Sequence, residues 1–219
     1  MAYQHHHING DPLNFIPGKA VCIGRYYVDH IKELKNQIPK KPLLFLKPNT
    51  AFCDMEQELS IPKDKGQCHH ELEISVLIGA PITRYQTNVI DSIWGLGLAL
   101  DLTLRDLQSE LKAKGHPWEI AKGFDNACPL TPFIPKAEFT DLCNIAFQLS
   151  IDGKMKQNGH TSLMLTTIEA LIEYTVQHFS LLPGDVLLTG TPAGVNALKA
   201  GDQLELNLDH RYKFNTLIR

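Results

Sequence analysis

Residues Trp94–Gly115 read WGLGLALDLTLRDLQSELKAKG, and a change of period inside this stretch decides what kind of fold the chain can adopt. Leu96, Leu98, Leu100, Leu102 and Leu104 recur at every second position, the spacing of a strand with one apolar face. After Leu104 the leucines move to positions 107 and 111, which is helical spacing, and Gly115 supplies a stop. The other face of the strand carries Gly95, Gly97, Ala99, Asp101 and Thr103, small side chains with a single carboxylate among them. A face this bare either packs against neighbouring backbone or leaves space for a ligand.

Upstream, Cys68–Gly79 (CHHELEISVLIG) alternates in the same way, with Leu72, Ile74 and Val76 on one side and Glu71, Glu73 and Ser75 on the other. Short strands are also predicted for Ala20–Gly24, Pro42–Pro48 (PLLFLKP), IAFQLSIDG with its Asp-Gly turn, the middle of LLPGDVLLTGTPAGV, DQLELNLD and YKFNTLI. Helices are predicted over roughly residues 28–35, 105–114 and 166–180, the last capped by Thr166 or Thr167 with Glu169 close by. Many short strands, few helices and no regular strand–helix alternation predict a mixed β fold with some α, and argue against a doubly wound sheet.

With 219 residues, 43% hydrophobic and 21% charged, the chain is long enough to bury a substantial core. No repeat or flexible linker divides it. Residues 17–219 are therefore expected to form a single domain behind a lead-in of residues 1–16, in which His5, His6 and His7 are expected to be disordered. A net charge of −3 offers no basic excess for nucleic acid. No apolar run approaches the roughly 20 residues that a membrane span needs. MAYQHHHINGDPLNF lacks a secretory signal pattern, and five scattered cysteines without a CxxC pair suit a reducing cytoplasm.

Taken alone, Glu71 and Glu73 read as the solvated face of a sheet. Asp101 is harder to place in solvent, because it interrupts a leucine strand and an isolated charge there needs a cation. That cation is either a metal shared with Glu71 and Glu73 or a side chain, Arg105 or Lys122. Oxygen-only ligation would suit Mg²⁺ or Mn²⁺. Cys68, His69 and His70 invite zinc, but their spacing fits no structural zinc pattern, and a satisfied structural histidine is the better reading of at least one. His30 and Glu33 stand at i and i+3 on the predicted 28–35 helix. They are either a surface pair or a base whose imidazole is oriented by the carboxylate.

Taken together, CIGRYYVDHIKE, PLLFLKP, HHELEISVLIG, LALDLTLRDLQ, PWEIAKGFDNACP and PGDVLLTGTPAGV resemble, in order, the motifs of the fumarylacetoacetate hydrolase family. The likeness is closest to its short single-domain branch of acylpyruvate hydrolases and oxaloacetate-handling enzymes. It implies a β-roll of curved mixed sheets with a few peripheral helices, usually a homodimer. It also implies that Glu71, Glu73 and Asp101 bind Mg²⁺ or Mn²⁺, and that His30 and Glu33 form a catalytic dyad on a closing segment. By the same likeness Lys122 stabilises developing negative charge, Gln108 helps position water or substrate, and Arg25 matches the arginine of the family's GRNY motif. Gly190 and Thr191 would offer backbone N–H groups to a substrate carboxylate. Tyr26 departs from the pattern, which usually has Asn there.

The expected substrate is a small 2-oxo or β-diketo acid that forms an enolate. Hydrolysis of 3-acylpyruvates such as acetylpyruvate or fumarylpyruvate is the leading expectation. Oxaloacetate decarboxylation or keto–enol tautomerisation, or isomerisation or decarboxylation of a related 2-oxo-dienoic acid, are the alternatives. A catalytically silent protein that binds metal and oxo acid is the alternative of another class.

Overall fold

The computed structural model describes residues 3–24, 26–27, 33 and 41–219. Its first half contains β1 (Ala20–Gly24), β2 (Leu43–Lys47), β3 (Phe52–Asp54), β4 (Cys68–His70), β5 (Leu72–Ile78), β6 (Ile93–Leu100), β7 (Thr103–Leu104), α1 (Arg105–Lys114) and α2 (Glu119–Lys122). β8 (Cys128–Leu130), β9 (Ile134–Pro135), β10 (Ala146–Ile151), β11 (Lys154–His160), α3 (Ile168–Thr175), β12 (Val186–Leu188), β13 (Asn196–Ala197), β14 (Gln203–Leu208) and β15 (Tyr212–Leu217) follow. Apart from Glu33, the helix predicted over residues 28–35 lies outside the described residues.

The largest sheet has the order β2-β1-β12-β5-β6-β8-β3, with β9 added beside β6; β1/β12 and β3/β8 are parallel. A second sheet runs β11-β10-β14-β15, and β4 pairs with β13 and β7 in a third. This is the mixed, mostly β architecture that the strand pattern predicts, and the roll with peripheral helices that the family resemblance implies. Period changes fall where the residues place them. Gly115, at φ +67°, accepts the left-handed turn that ends α1, and Asp152 and Gly153 take positive φ in the β10–β11 hairpin. Thr167 caps α3, accepting from the Ala170 N–H at 3.2 Å.

The bare face of β6 packs against backbone. A Cβ on Gly95 would lie 2.2 Å from the Ile134 carbonyl oxygen, and one on Gly97 would lie 3.2 Å from the Pro132 carbonyl oxygen. Every residue of β5 is buried as well, so its acidic face is internal and not solvated.

The lead-in differs from expectation. His5 is buried, its Nε2 is 3.0 Å from the Gly184 carbonyl oxygen, and its ring meets Phe133 edge-on with centroids 5.3 Å apart. The Phe133 N–H donates to the His6 carbonyl at 2.7 Å, and the Ile8 N–H donates back to the Phe133 carbonyl at 2.9 Å. Residues 3–16 thus form an ordered strap across the large sheet. Aromatic burial and these backbone bonds hold it in place of the disorder that the histidine run predicts.

Candidate active site

Strand register brings the acids together. In the β5–β6 ladder Leu72 faces Leu100 and Glu73 faces Ala99; one step further, the Asp101 N–H donates to the Glu71 carbonyl at 2.8 Å. Glu71 therefore stands opposite Asp101, with Glu73 two residues along on the same face. All three are buried, and a ligand oxygen from each lies within 4.8 Å of the others.

Three acids packed this closely require cations. Lys122, on α2, donates from Nζ to Asp101 Oδ2 at 2.5 Å and to Glu71 Oε2 at 2.9 Å. Arg105, the first residue of α1, donates from Nη2 to Glu71 Oε1. Lys47, the last residue of β2, brings Nζ to 2.8 Å from Asp101 Oδ1. The same ammonium donates to the carbonyls of Leu102 (3.2 Å), Ala127 (2.9 Å) and Lys122.

Burial, reinforced by the charges of Asp101 and Glu71, pushes the Glu73 carboxyl well above the usual range, although the Gly190 N–H donates to its Oε2 at 2.6 Å. Burial works against the Lys122 ammonium too, but Asp101 and Glu71 outweigh it and hold the group above the ordinary lysine range. Lys122 stays charged, while burial and its acidic neighbours disfavour the charged form of Glu73.

These residues fit a hard divalent ion. The ligand set is oxygen only, as Mg²⁺ and Mn²⁺ prefer. Asp101 Oδ1 is a buried acceptor with no aligned hydrogen-bond donor, since Lys47 approaches it only as a charge. Of the two side chains weighed for Asp101, Lys122 pairs with it and Arg105 does not, and Lys47 is a second ammonium partner.

Other sequence candidates fall around this centre. Gln108 accepts from Arg105 Nη1 at 2.7 Å and so braces the guanidinium that holds Glu71. The Gly190 N–H donates to the Glu73 carboxylate at 2.6 Å. The Thr191 hydroxyl donates to the Leu72 carbonyl at 2.8 Å. Glu33 is exposed, and both its carboxylate oxygens accept from the Gly194 N–H, at 3.0 and 3.1 Å. Its expected partner His30, and Arg25, lie outside the described residues. Tyr26 is buried against the site loop, where a Cβ on Gly190 would come within 2.8 Å of the Tyr26 Cβ.

Among the described residues only Glu71, Glu73 and Asp101 gather as a metal-ligand group. Strand alternation sends His69 away from Cys68 and His70. His69 bonds Gln67, His70 bonds Gln157, and burial raises the Cys68 thiol to about 11. Lys47 and Gln157 escaped the sequence reading. A lysine closing the apolar run PLLFLKP was a signal; nothing in KMKQNGH distinguishes its glutamine.

Residues 19–217 match the family described as fumarylacetoacetate (FAA) hydrolase C-terminal. The chain is 49% identical over 209 residues to the oxaloacetate tautomerase YcgM of Escherichia coli, covering 94% of this chain and 95% of that one. A protein of known structure from Yersinia pestis superposes with a TM-score of 0.97 at 46% identity, over 99% of this chain and 100% of that one. Fumarylpyruvate hydrolase from Pseudomonas aeruginosa, crystallised with Mn²⁺ and pyruvate, superposes with a TM-score of 0.92 at 28% identity, covering 99% and 95%.

Proposed function

This chain belongs to the fumarylacetoacetate hydrolase family, and from that premise we propose that it is a divalent-metal-dependent tautomerase interconverting the enol and keto forms of oxaloacetate. The comparisons favour this alternative over the acylpyruvate hydrolysis that the motifs put first. One observation carries it. A buried ammonium, Lys122, touches two acids of an oxygen-only metal site in a chain 49% identical to an oxaloacetate tautomerase.

A divalent ion held by Glu71, Glu73 and Asp101 supplies, when bound, a Lewis acid for the oxygens of a 2-oxo acid. Lys122 adds a fixed positive charge where the 2-oxo oxygen gains electron density. His30, oriented by Glu33, is assigned the proton at C3. The C3–H bond breaks, its electron pair becomes the C2–C3 double bond, and the 2-oxo oxygen takes a proton to give the enol. The reverse sequence returns the ketone. The Gly194 N–H holds the Glu33 carboxylate, tying Glu33 to the loop that carries Gly190 and Thr191.

Decarboxylation would break C3–C4 instead, its electron pair becoming the C2–C3 double bond as CO₂ leaves, and would give pyruvate enolate in place of the enolate of oxaloacetate. Hydrolysis would need a water on the distal carbonyl of an acylpyruvate, and the fumarylpyruvate hydrolase neighbour keeps it as the second reading. The test is the ultraviolet decay of enol oxaloacetate, with the protein loaded with Mn²⁺ or Mg²⁺ or treated with chelator. Metal-dependent acceleration over buffer is expected, and His30→Ala should abolish it. If the loaded protein cleaves acetylpyruvate or fumarylpyruvate while the enol decays at the buffer rate, hydrolysis replaces tautomerisation. Calorimetric binding of oxalate without any turnover would favour the silent oxo-acid binder. Gel filtration checks the expected homodimer.

A further inference from the structure

Gln157 sits on β11, in the second sheet, fully buried, and its amide uses every hydrogen-bonding position it has. Oε1 accepts from the Leu72 N–H at 2.9 Å and from His70 Nδ1 at 2.9 Å. Nε2 donates to Thr191 Oγ1 at 2.8 Å and to the Pro192 carbonyl at 2.9 Å. Leu72 is the residue between Glu71 and Glu73. β4 ends at His70 and β5 begins at Leu72, and the Leu72 N–H at this junction is met by a side chain in place of a ladder carbonyl.

The other end of the amide grips the loop after β12. That loop reaches Glu73 through the Gly190 N–H and Leu72 through the Thr191 hydroxyl. It also rests on β11 at Gly194, where a Cβ would lie 2.0 Å from the Lys156 carbonyl oxygen. One amide therefore fixes both the backbone between two of the acids and the loop that orients one of them.

We propose that Gln157 is a positioning residue for the metal centre, holding Glu71 and Glu73 in the relative placement that lets them share one ion. It acts through the Leu72 N–H and the 190–192 loop and touches neither substrate nor metal. The metal part stands on the geometry; the activity part rests on the tautomerase reading.

Two variants separate the halves of the amide. Gln157→Leu keeps the shape and removes every hydrogen bond. Gln157→Glu keeps acceptors for Leu72 and His70 but turns an oxygen toward the Pro192 carbonyl. Mn²⁺ affinity is read from the free-ion electron paramagnetic resonance signal, and enol turnover at saturating Mn²⁺, at a temperature where circular dichroism shows each variant folded. Loss of an outer partner of a metal ligand typically weakens affinity by about 10–100-fold, so Gln157→Leu should raise the Mn²⁺ Kd at least tenfold and Gln157→Glu at least about threefold. Turnover should fall even when metal saturates. A folded variant whose Kd stays within about twofold of the parent overturns the assignment, whatever its melting temperature. If Gln157→Leu does not fold, Gln157→Glu decides alone. A parent protein that binds Mn²⁺ but leaves enol oxaloacetate untouched sinks the tautomerase reading, and the Kd comparison still tests Gln157. A parent that binds no Mn²⁺ overturns both.

Discussion

Replacing Lys47 by Met tests whether the buried charges of the site depend on one another. The two side chains have similar length and volume, so packing in this fully enclosed position changes little and the loss is electrostatic. Asp101 Oδ1 loses an ammonium at 2.8 Å, and the Leu102 carbonyl loses a donor at 3.2 Å, as does that of Lys122. The Ala127 carbonyl keeps a second donor, the Leu102 N–H at 3.0 Å. Removing one partner of a buried ion pair costs about 3–5 kcal/mol. Asp101 retains Lys122 at 2.5 Å, which argues for the lower end, while two orphaned carbonyls add about 1 kcal/mol or more each. A net loss of about 3–5 kcal/mol is expected, a large share of the ~5–15 kcal/mol typical of a folded domain. In a chain of this size that lowers Tm by about 10 °C. Urea titrations at neutral pH, with and without Mn²⁺, measure it. Added Mn²⁺ should recover more stability in Lys47→Met than in the parent, because a dication at Asp101 stands in for the missing charge. A loss below about 1 kcal/mol would refute the reasoning, showing that Lys122 alone neutralises Asp101.

Lys122→Met should lower kcat for enol oxaloacetate by about a hundredfold or more, read at saturating Mn²⁺ so that metal loss is not the cause. Gly190→Ala puts a side chain at φ +94° and a Cβ 2.8 Å from that of Tyr26; a destabilisation of about 1–3 kcal/mol and weaker Mn²⁺ binding are expected from denaturation and titration. His5 supplies a pH signature, since burial lowers its pKa from 6.5 to about 4. Between those values the unfolded chain binds a proton that the folded chain refuses, so stability falls as pH drops through this window and levels off below it. The His5 share of the slope is about 1.4 kcal/mol per pH unit, and His5→Gln should remove it from a series of urea titrations.

Much of the fold is legible because its signals are local. The leucine alternation before residue 105 and the helical spacing after it map directly onto β6, β7 and α1, and Gly115 ends the helix where its backbone freedom is needed. The solvent exposure of strand faces is not local. Glu71, Glu73 and Ser75 alternate as a half-wet strand would, yet both faces of β5 are covered, by segments that no periodicity in CHHELEISVLIG can announce. The N-terminal strap shows the same limit. Nothing in the run of histidines shows that Phe133 and Gly184 wait to enclose the first of them.

Asp101 shows how a lone carboxylate on an apolar strand can be an ion-pair partner and a candidate metal ligand at once. Three acids cannot be buried side by side unless the chain itself can neutralise them while it folds. The cations that do so come from residues 47, 105 and 122, on three separate elements, so the sequence displays the acids as a pattern and their counter-charges only as scattered residues. Lys122 and Arg105 satisfy Glu71, and Lys122 satisfies one oxygen of Asp101. Lys47 answers the other Asp101 oxygen at 2.8 Å, and what remains is Glu73, whose carboxyl burial and its acidic neighbours push well above the usual range. A dication among the three acids would favour the charged form of Glu73 and add to the charge that Lys47 and Lys122 already bring to Asp101. The ion pairs are thus the condition under which a metal site of this composition can be built inside a sheet.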